Sequence, residues 1–214
     1  MSGKQVLVLG ATGLVGRQVV RYLELEERVD NVLCLVRQAG KRMHPKVEYR
    51  EIDFNRLDQQ TELFRGVDVV ICCIGTTIKA AKTREQFRFV DFDIPLQVAV
   101  LAREAGVRCF SLVSSVGALK ESRSFYLQVK GELEEALKQL AFPVLYVFRP
   151  SLLLGKRTEF RLGERFMVYL FTVFSFLIPR SYRATDSDVL AQMIVERLWQ
   201  DVSGVDSVEA GDIC

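Results

Sequence analysis

A chain of 214 residues, 49% hydrophobic and 26% charged, has the composition of a globular domain large enough to bury a sizeable core. A formal net charge of +2 is too small to point to nucleic acid, and the single histidine, His44, excludes a histidine-built metal site. The five cysteines (Cys34, Cys72, Cys73, Cys109, Cys214) are odd in number and lack metal-ligand spacing, as in a reduced, cytoplasmic protein.

Val6 to Leu9 is a short apolar run, the pattern of a strand buried on both faces. Gly10, Ala11, Thr12 and Gly13 then turn the chain, and Leu14, Val15, Val19, Val20 and Leu23 recur at helical spacing. In this order, strand, glycine turn and helix make a cradle for a pyrophosphate; an ordinary βα turn is the plain alternative. Gly10 permits the tight turn, Gly13 lets backbone N–H groups approach the phosphates, and Gly16 lets the helix lie close to the strand. Asn31 to Val36 is a second strand, ending at Arg37, 21 residues after Gly16. An acidic residue there would accept from the ribose 2′-hydroxyl of NAD(H). Arginine, with Lys41 and Arg42 close behind, suits the 2′-phosphate of NADP(H), or belongs to a solvated basic loop.

Val47 to Ile52 reads as a third strand that closes at Asp53, a residue able to hold an adenine amine or to cap the next turn. A short helix follows over 58–64. The fourth strand, Val67 to Ile74, runs into Gly75, which would border the second ribose of a dinucleotide without a side chain in the way. Asp91 to Ala105 reads as a helix with Pro95 in its first turn or two, and Arg108 to Val113 is a strand delivering Ser114 and Ser115. Val144 to Phe148 is a sixth strand, and the Pro150-Ser151 turn after it could pack against a nicotinamide carboxamide. Alternating strands and helices with no repeat or linker predict a single α/β domain over 1–214. The expected fold is a Rossmann-like, doubly wound parallel sheet with helices on both faces. The cofactor core extends to about residue 155, and 156–214 form a small C-terminal substrate-side elaboration.

Tyr126 and Lys130 are four apart in a helical pattern, so they share a face one turn apart. A phenol is a poor acid at neutral pH, and a nearby ammonium favours its phenolate. The lysine can also hold a nicotinamide ribose while a serine hydroxyl binds a substrate carbonyl and the tyrosine delivers a proton. A surface Tyr/Lys pair is the alternative. Further on, Lys156, Arg157, Arg161 and Arg165 form a basic segment, read as a solvated face or a contact for an anion. Phe166 to Ile178 is apolar on every side but too short to span a bilayer, so no stable membrane insertion is expected. It suits a buried helix, a wall of an apolar substrate pocket, the contact of a homodimer or attachment at a membrane surface. Asp186 and its neighbours read as a helix cap, and the last dozen residues as a short edge strand.

GATGLVG, ICCIGTT, SLVSSVGA, FYLQVKGELE and VFRPSLLLG, in this order, resemble the short-chain dehydrogenase/reductase superfamily. More narrowly, they resemble its atypical branch typified by the Tat-interacting-protein oxidoreductases. The resemblance implies an NADPH-dependent carbonyl reductase, or an NADP(H)-binding regulatory protein with little turnover, and a small-molecule substrate. It implies a catalytic set of Tyr126, Lys130 and Ser115, or failing that Ser114. For the cofactor it implies Gly10, Thr12, Gly13, Leu14, Val15, Gly16, Arg37, Asp53, Gly75, Tyr126, Lys130, Pro150 and Ser151. Two features depart from the superfamily pattern. Asp91 stands where many members carry a relay asparagine, and Ser115 is only 11 residues before Tyr126.

Overall fold

The computed structural model describes residues 3–38, 44–154 and 184–213. Among them, β1 (Lys4–Leu9), α1 (Leu14–Leu25), β2 (Val29–Val36), β3 (Val47–Glu51) and β4 (Val69–Cys72) follow the expected order. Helical segments α2 (Ile78–Ala81), α3 (Arg84–Arg88) and α4 (Ile94–Glu104) lead to β5 (Cys109–Val113), α5 (Phe125–Gln139) and β6 (Val144–Arg149). A two-residue strand, β7 (Leu153–Leu154), pairs with β8 (Thr185–Asp186), and α6 (Ser187–Arg197), β9 (Gly204–Glu209) and α7 (Ala210–Ile213) complete the described chain.

Seven strands form one parallel sheet in the order β3-β2-β1-β4-β5-β6-β9. The order reverses at β1, which has β2 on one side and β4 on the other, and such a switch point opens a crevice beyond the strand ends. Alternation along β1 sends its side chains to opposite faces. Val6 and Val8 pack with Val15, Val19 and Leu23 of α1 and with Leu190, Ile194 and Val195 of α6. Leu7 and Leu9 face Val98 and Ala102 of α4 and Leu133 and Leu137 of α5. Each such side chain contributes roughly 1.5–3 kcal/mol by leaving water, which is why continuous apolar runs are strands here. The Tyr22 hydroxyl donates to Asp188 Oδ2 at 2.8 Å, joining α1 to α6.

Local chemistry shifts several expected boundaries. The helix expected over 58–64 is two 3₁₀ turns, Phe54–Gln59 and Thr61–Phe64, kinked at Arg56. Asp53 starts the first by accepting from the Asn55 N–H at 3.0 Å, a short-range bond that competes with α-geometry. The helix expected to begin at Asp91 begins at Arg84 and passes through a π-turn, Phe89–Asp93, into α4. Pro95 therefore lies inside a continuous helix rather than in its first turn. It lacks the N–H an α-helix would direct at the Asp91 carbonyl, and the wider turn absorbs that loss.

The edge strand expected near the end is β9. Residues 187–213, expected among the substrate-side elements, instead finish the sheet and one of its faces. The basic segment at 156–165, the apolar run Phe166 to Ile178, Lys41, Arg42 and Cys214 lie outside the described residues.

Candidate functional site

Gly10 takes φ +76°, a left-handed conformation, and a Cβ on it would lie 2.6 Å from the backbone of Cys73 and Ile74. Both facts require glycine. The Gly13 N–H donates to the Gly10 carbonyl at 2.9 Å, and α1 starts immediately afterwards. No side chain caps that helix, so its first-turn N–H groups remain available to an anion. A Cβ on Gly16 would stand 2.1 Å from the Gly10 carbonyl oxygen, so helix and turn touch backbone to backbone there.

The turn opens onto a cleft of about 1160 Å³. Of the expected cofactor residues it is lined by Gly10, Thr12, Gly13, Arg37, Asp53 and Gly75, with Val36, Ile52, Phe54 and Ile94 among its apolar walls. A smaller recess of about 440 Å³ adjoins Thr12, Arg37 and Gln38, and the Arg37 side chain is exposed between the two. Asp53 lines the cleft and also caps the turn, accepting from the Asn55 side chain at 2.8 Å. Val15 and Gly16 are buried under the turn, and Leu14 is partly buried, so their side chains support the cradle rather than line it. The Pro150 carbonyl accepts from the Val116 N–H at 2.9 Å, and Ser151 meets the buried Thr185 hydroxyl at 3.1 Å. The first contact fastens the end of β6 to the loop after β5 and the second to β8, both outside the cleft lining.

Tyr126 and Lys130, both on α5, are not among the residues lining this cleft; Lys130 reaches it from behind Gly75, which is. The Tyr126 ring is half-buried against Phe87, centroids 5.7 Å apart, in a small aromatic group with Phe125. Lys130 is buried, and its Nζ lies 2.8 Å from Asp91 Oδ1, off the line of a well-directed hydrogen bond. Asp91 is fully buried and accepts from the Thr76 N–H through Oδ2 at 2.8 Å. Burial, the largest single influence, pushes the Lys130 amine down, but the charge of Asp91, together with smaller contributions from Tyr126, the contact with Asp91 and Cys72, holds the lysine above its ordinary range. A Cβ on Gly75 would fall 3.6 Å from Lys130 Nζ, so the turn after β4 joins the cradle to the Tyr126–Lys130 face.

The two serines part company. Ser114 is buried, and its hydroxyl donates to Glu134, itself 1% exposed and paired with Arg149 at 2.6 Å. Arg149 also binds Glu209 at 2.7 Å, so one network ties together the ends of β5, β6 and β9. Ser115 is half-buried, and its hydroxyl makes only a 3.4 Å contact with the Val116 carbonyl. Gly131 explains the short link to Tyr126: a Cβ there would lie 2.3 Å from the Leu119 backbone, so the intervening loop lies flat on α5. Glu134, Gly131 and Phe87 escaped the sequence reading, although Glu134 follows Lys130 by four residues on the same helical face.

A family profile described as NAD(P)H-binding matches residues 10–166, which contain the cradle, the Asp91–Lys130 pair and α5. The chain belongs to that family. The protein HTATIP2 of Rattus norvegicus is 38% identical over 167 residues, covering 77% of this chain and 69% of that protein. The protein named FMP52, mitochondrial, of Meyerozyma guilliermondii is 36% identical, covering 72% of this chain and 66% of that protein. The chain thus spans about two thirds of the length of these relatives. Among solved structures, the Bordetella bronchiseptica enzyme WbmH in complex with NAD+ superposes at a TM-score of 0.72 and 17% identity, covering 97% of this chain and 75% of that one. This NAD(P)H-binding protein is an atypical short-chain dehydrogenase/reductase resembling HTATIP2. The expectation of a cytoplasmic protein is overturned, because several yeast relatives are named mitochondrial.

Proposed function

We propose that this protein is an NADPH-dependent oxidoreductase of the carbonyl-reductase type, working through Ser115, Tyr126 and Lys130 on a small carbonyl compound. The observation that carries the reading is a buried, charged lysine one helical turn from a tyrosine, beside the glycine turn at the edge of the cleft. The cradle fits a dinucleotide, since side chains at Gly10 and Gly16 would fill the space that backbone now uses. Its pyrophosphate would sit at the first turn of α1, with Asp53 at the adenine, Arg37 at a 2′-phosphate and Gly75 along the second ribose. When bound, the reduced nicotinamide supplies a hydride to the carbonyl carbon.

The chain's own groups handle the oxygen. Ser115 donates a hydrogen bond to the carbonyl oxygen, Ser114 being engaged by Glu134. Tyr126 releases its proton to that oxygen as charge develops there, and recovers one from solvent after product leaves. The Lys130 ammonium stabilises the phenolate left behind and donates to a ribose hydroxyl. The test is NADPH oxidation across aldehydes, ketones and quinones, by wild type and Tyr126→Phe. Turnover in the variant should fall by roughly 10²–10⁴, with NADPH affinity unchanged. No oxidation across the whole panel, or equal rates in the two proteins, refutes the reading.

A further inference from the structure

Asp91 lies where the long helix departs from α-geometry, inside the π-turn Phe89–Asp93. That turn directs a carboxylate with no solvent exposure into the space between two other segments. One oxygen accepts the Thr76 N–H at 2.8 Å, and the other faces Lys130 Nζ at 2.8 Å. Gly75 stands over the pair, its Cβ position 3.2 Å from Asp91 Oδ1. The turn bordering the cleft, the π-turn and α5 therefore meet on one side chain.

The charges around Lys130 are few. Tyr126 faces it from its own helix and Cys72 from β4, and burial pushes the Cys72 thiol up to about 11, so that it stays neutral at pH 7. Among the described residues, Asp91 is thus the counter-charge of Lys130. A buried ammonium without one sheds its proton.

We propose that Asp91 is the positioning residue of this site: it holds Lys130 as an ammonium and locks it, through Thr76, to the turn that borders the cofactor cleft. The inference rests on the reading of Lys130 as the partner of Tyr126 and of the cofactor ribose. A superfamily asparagine at this place would keep the bond from the Thr76 N–H and remove the charge. Here the charge is what keeps the lysine working at neutral and alkaline pH.

Asp91→Asn isolates that charge, because the amide oxygen can still accept the Thr76 N–H. Wild-type Lys130, raised by its partner, contributes stability that is complete below the unfolded lysine value of about 10.4 and is lost as pH rises through the folded value. In Asp91→Asn the sign reverses. The unfolded chain binds a proton that the folded one rejects, so stability rises with pH up to about 10. At pH 7 the melting temperature should fall by roughly 6–15 °C, and much of the loss should return by pH 10. NADPH affinity, read by fluorescence titration, should move the other way and weaken about tenfold from pH 6.5 to 9.5 relative to wild type.

Asp91→Asn/Lys130→Met should recover melting temperature over Asp91→Asn and show neither pH trend. If the single variant does not fold and the double variant does, the stranded charge is the cause and the inference holds. Wild-type pH profiles in Asp91→Asn, or a double variant no more stable than the single one, overturn it. A complete lack of carbonyl reduction would remove the reductase reading while leaving these thermal and binding results to stand or fall alone.

Discussion

Replacing Gly16 with alanine tests whether α1 and the glycine turn are packed backbone to backbone. The added Cβ would lie 2.1 Å from the Gly10 carbonyl oxygen and 2.7 Å from its carbon, about 1.3 Å short of ordinary van der Waals contact at 3.4 Å. Both obstacles are backbone, so neither can rotate away. Overpacking of this kind costs about 1–3 kcal/mol, and the severity of the overlap argues for the upper end. Alanine regains about 1 kcal/mol through its better helix propensity, leaving a net loss near 2 kcal/mol. For a chain of this size that lowers the melting temperature by roughly 4–8 °C. NADPH affinity should fall as well, since the first turn of α1 must shift. Gly13→Val supplies the contrast. Gly13 already has an ordinary φ of −76°, and its Cβ would meet only the Gly10 oxygen, at 3.1 Å. That variant should melt close to wild type yet lose NADPH binding, because the side chain would stand where the pyrophosphate approaches. Thermal unfolding and a fluorescence titration on both proteins suffice. An unchanged melting temperature in Gly16→Ala would refute the packing argument, and normal affinity in folded Gly13→Val would refute the placing of the pyrophosphate at this turn.

Two further outcomes are expected. Arg37 is exposed at the mouth of both recesses, so the low end of a charge-assisted bond, about 1.5–3 kcal/mol, applies to its hold on a 2′-phosphate. Wild type should prefer NADPH over NADH by roughly ten- to a hundredfold, and Arg37→Asp should reverse the order; paired dissociation constants at fixed salt decide this. Ser114→Ala removes a buried bond to Glu134 and should lower the melting temperature by roughly 3–8 °C, whereas Ser115→Ala should leave it alone and reduce turnover by roughly 10²–10³. The opposite assignment of the two phenotypes would exchange the roles of the serines.

What could be read from the residues was whatever depends on near neighbours in sequence. The six core strands, the glycine turn, the Asp186 cap and the Tyr126–Lys130 spacing each follow from a local pattern, and each is where that pattern puts it. Partnerships across the sheet left no such mark. Glu134 looks like a polar position on an amphipathic helix until β6 sets Arg149 against it. Strand alternation cannot choose between Ser114 and Ser115, because the choice depends on which hydroxyl meets that carboxylate. Asp91 and Pro95 suggest a helix start, and nothing in their near neighbours shows that the helix instead begins at Arg84, widens over Phe89–Asp93 and continues. Compartment has no local chemical signature in these residues, so the relatives' names corrected it.

The bond between Tyr22 and Asp188 joins residues 166 apart in sequence, and the layer of α1 and α6 around it has a consequence for how the protein is made. During synthesis, α1 emerges early and can lay Val15, Val19 and Leu23 against Val6 and Val8 of β1, but Leu190, Ile194 and Val195, which complete that layer, come only with α6. Contacts so distant close slowly, because the loop entropy is lost before the apolar burial is gained. A nascent chain that has not yet made α6 would leave part of that layer uncovered at its phosphate-binding end, and would be open to aggregation until α6 is in place.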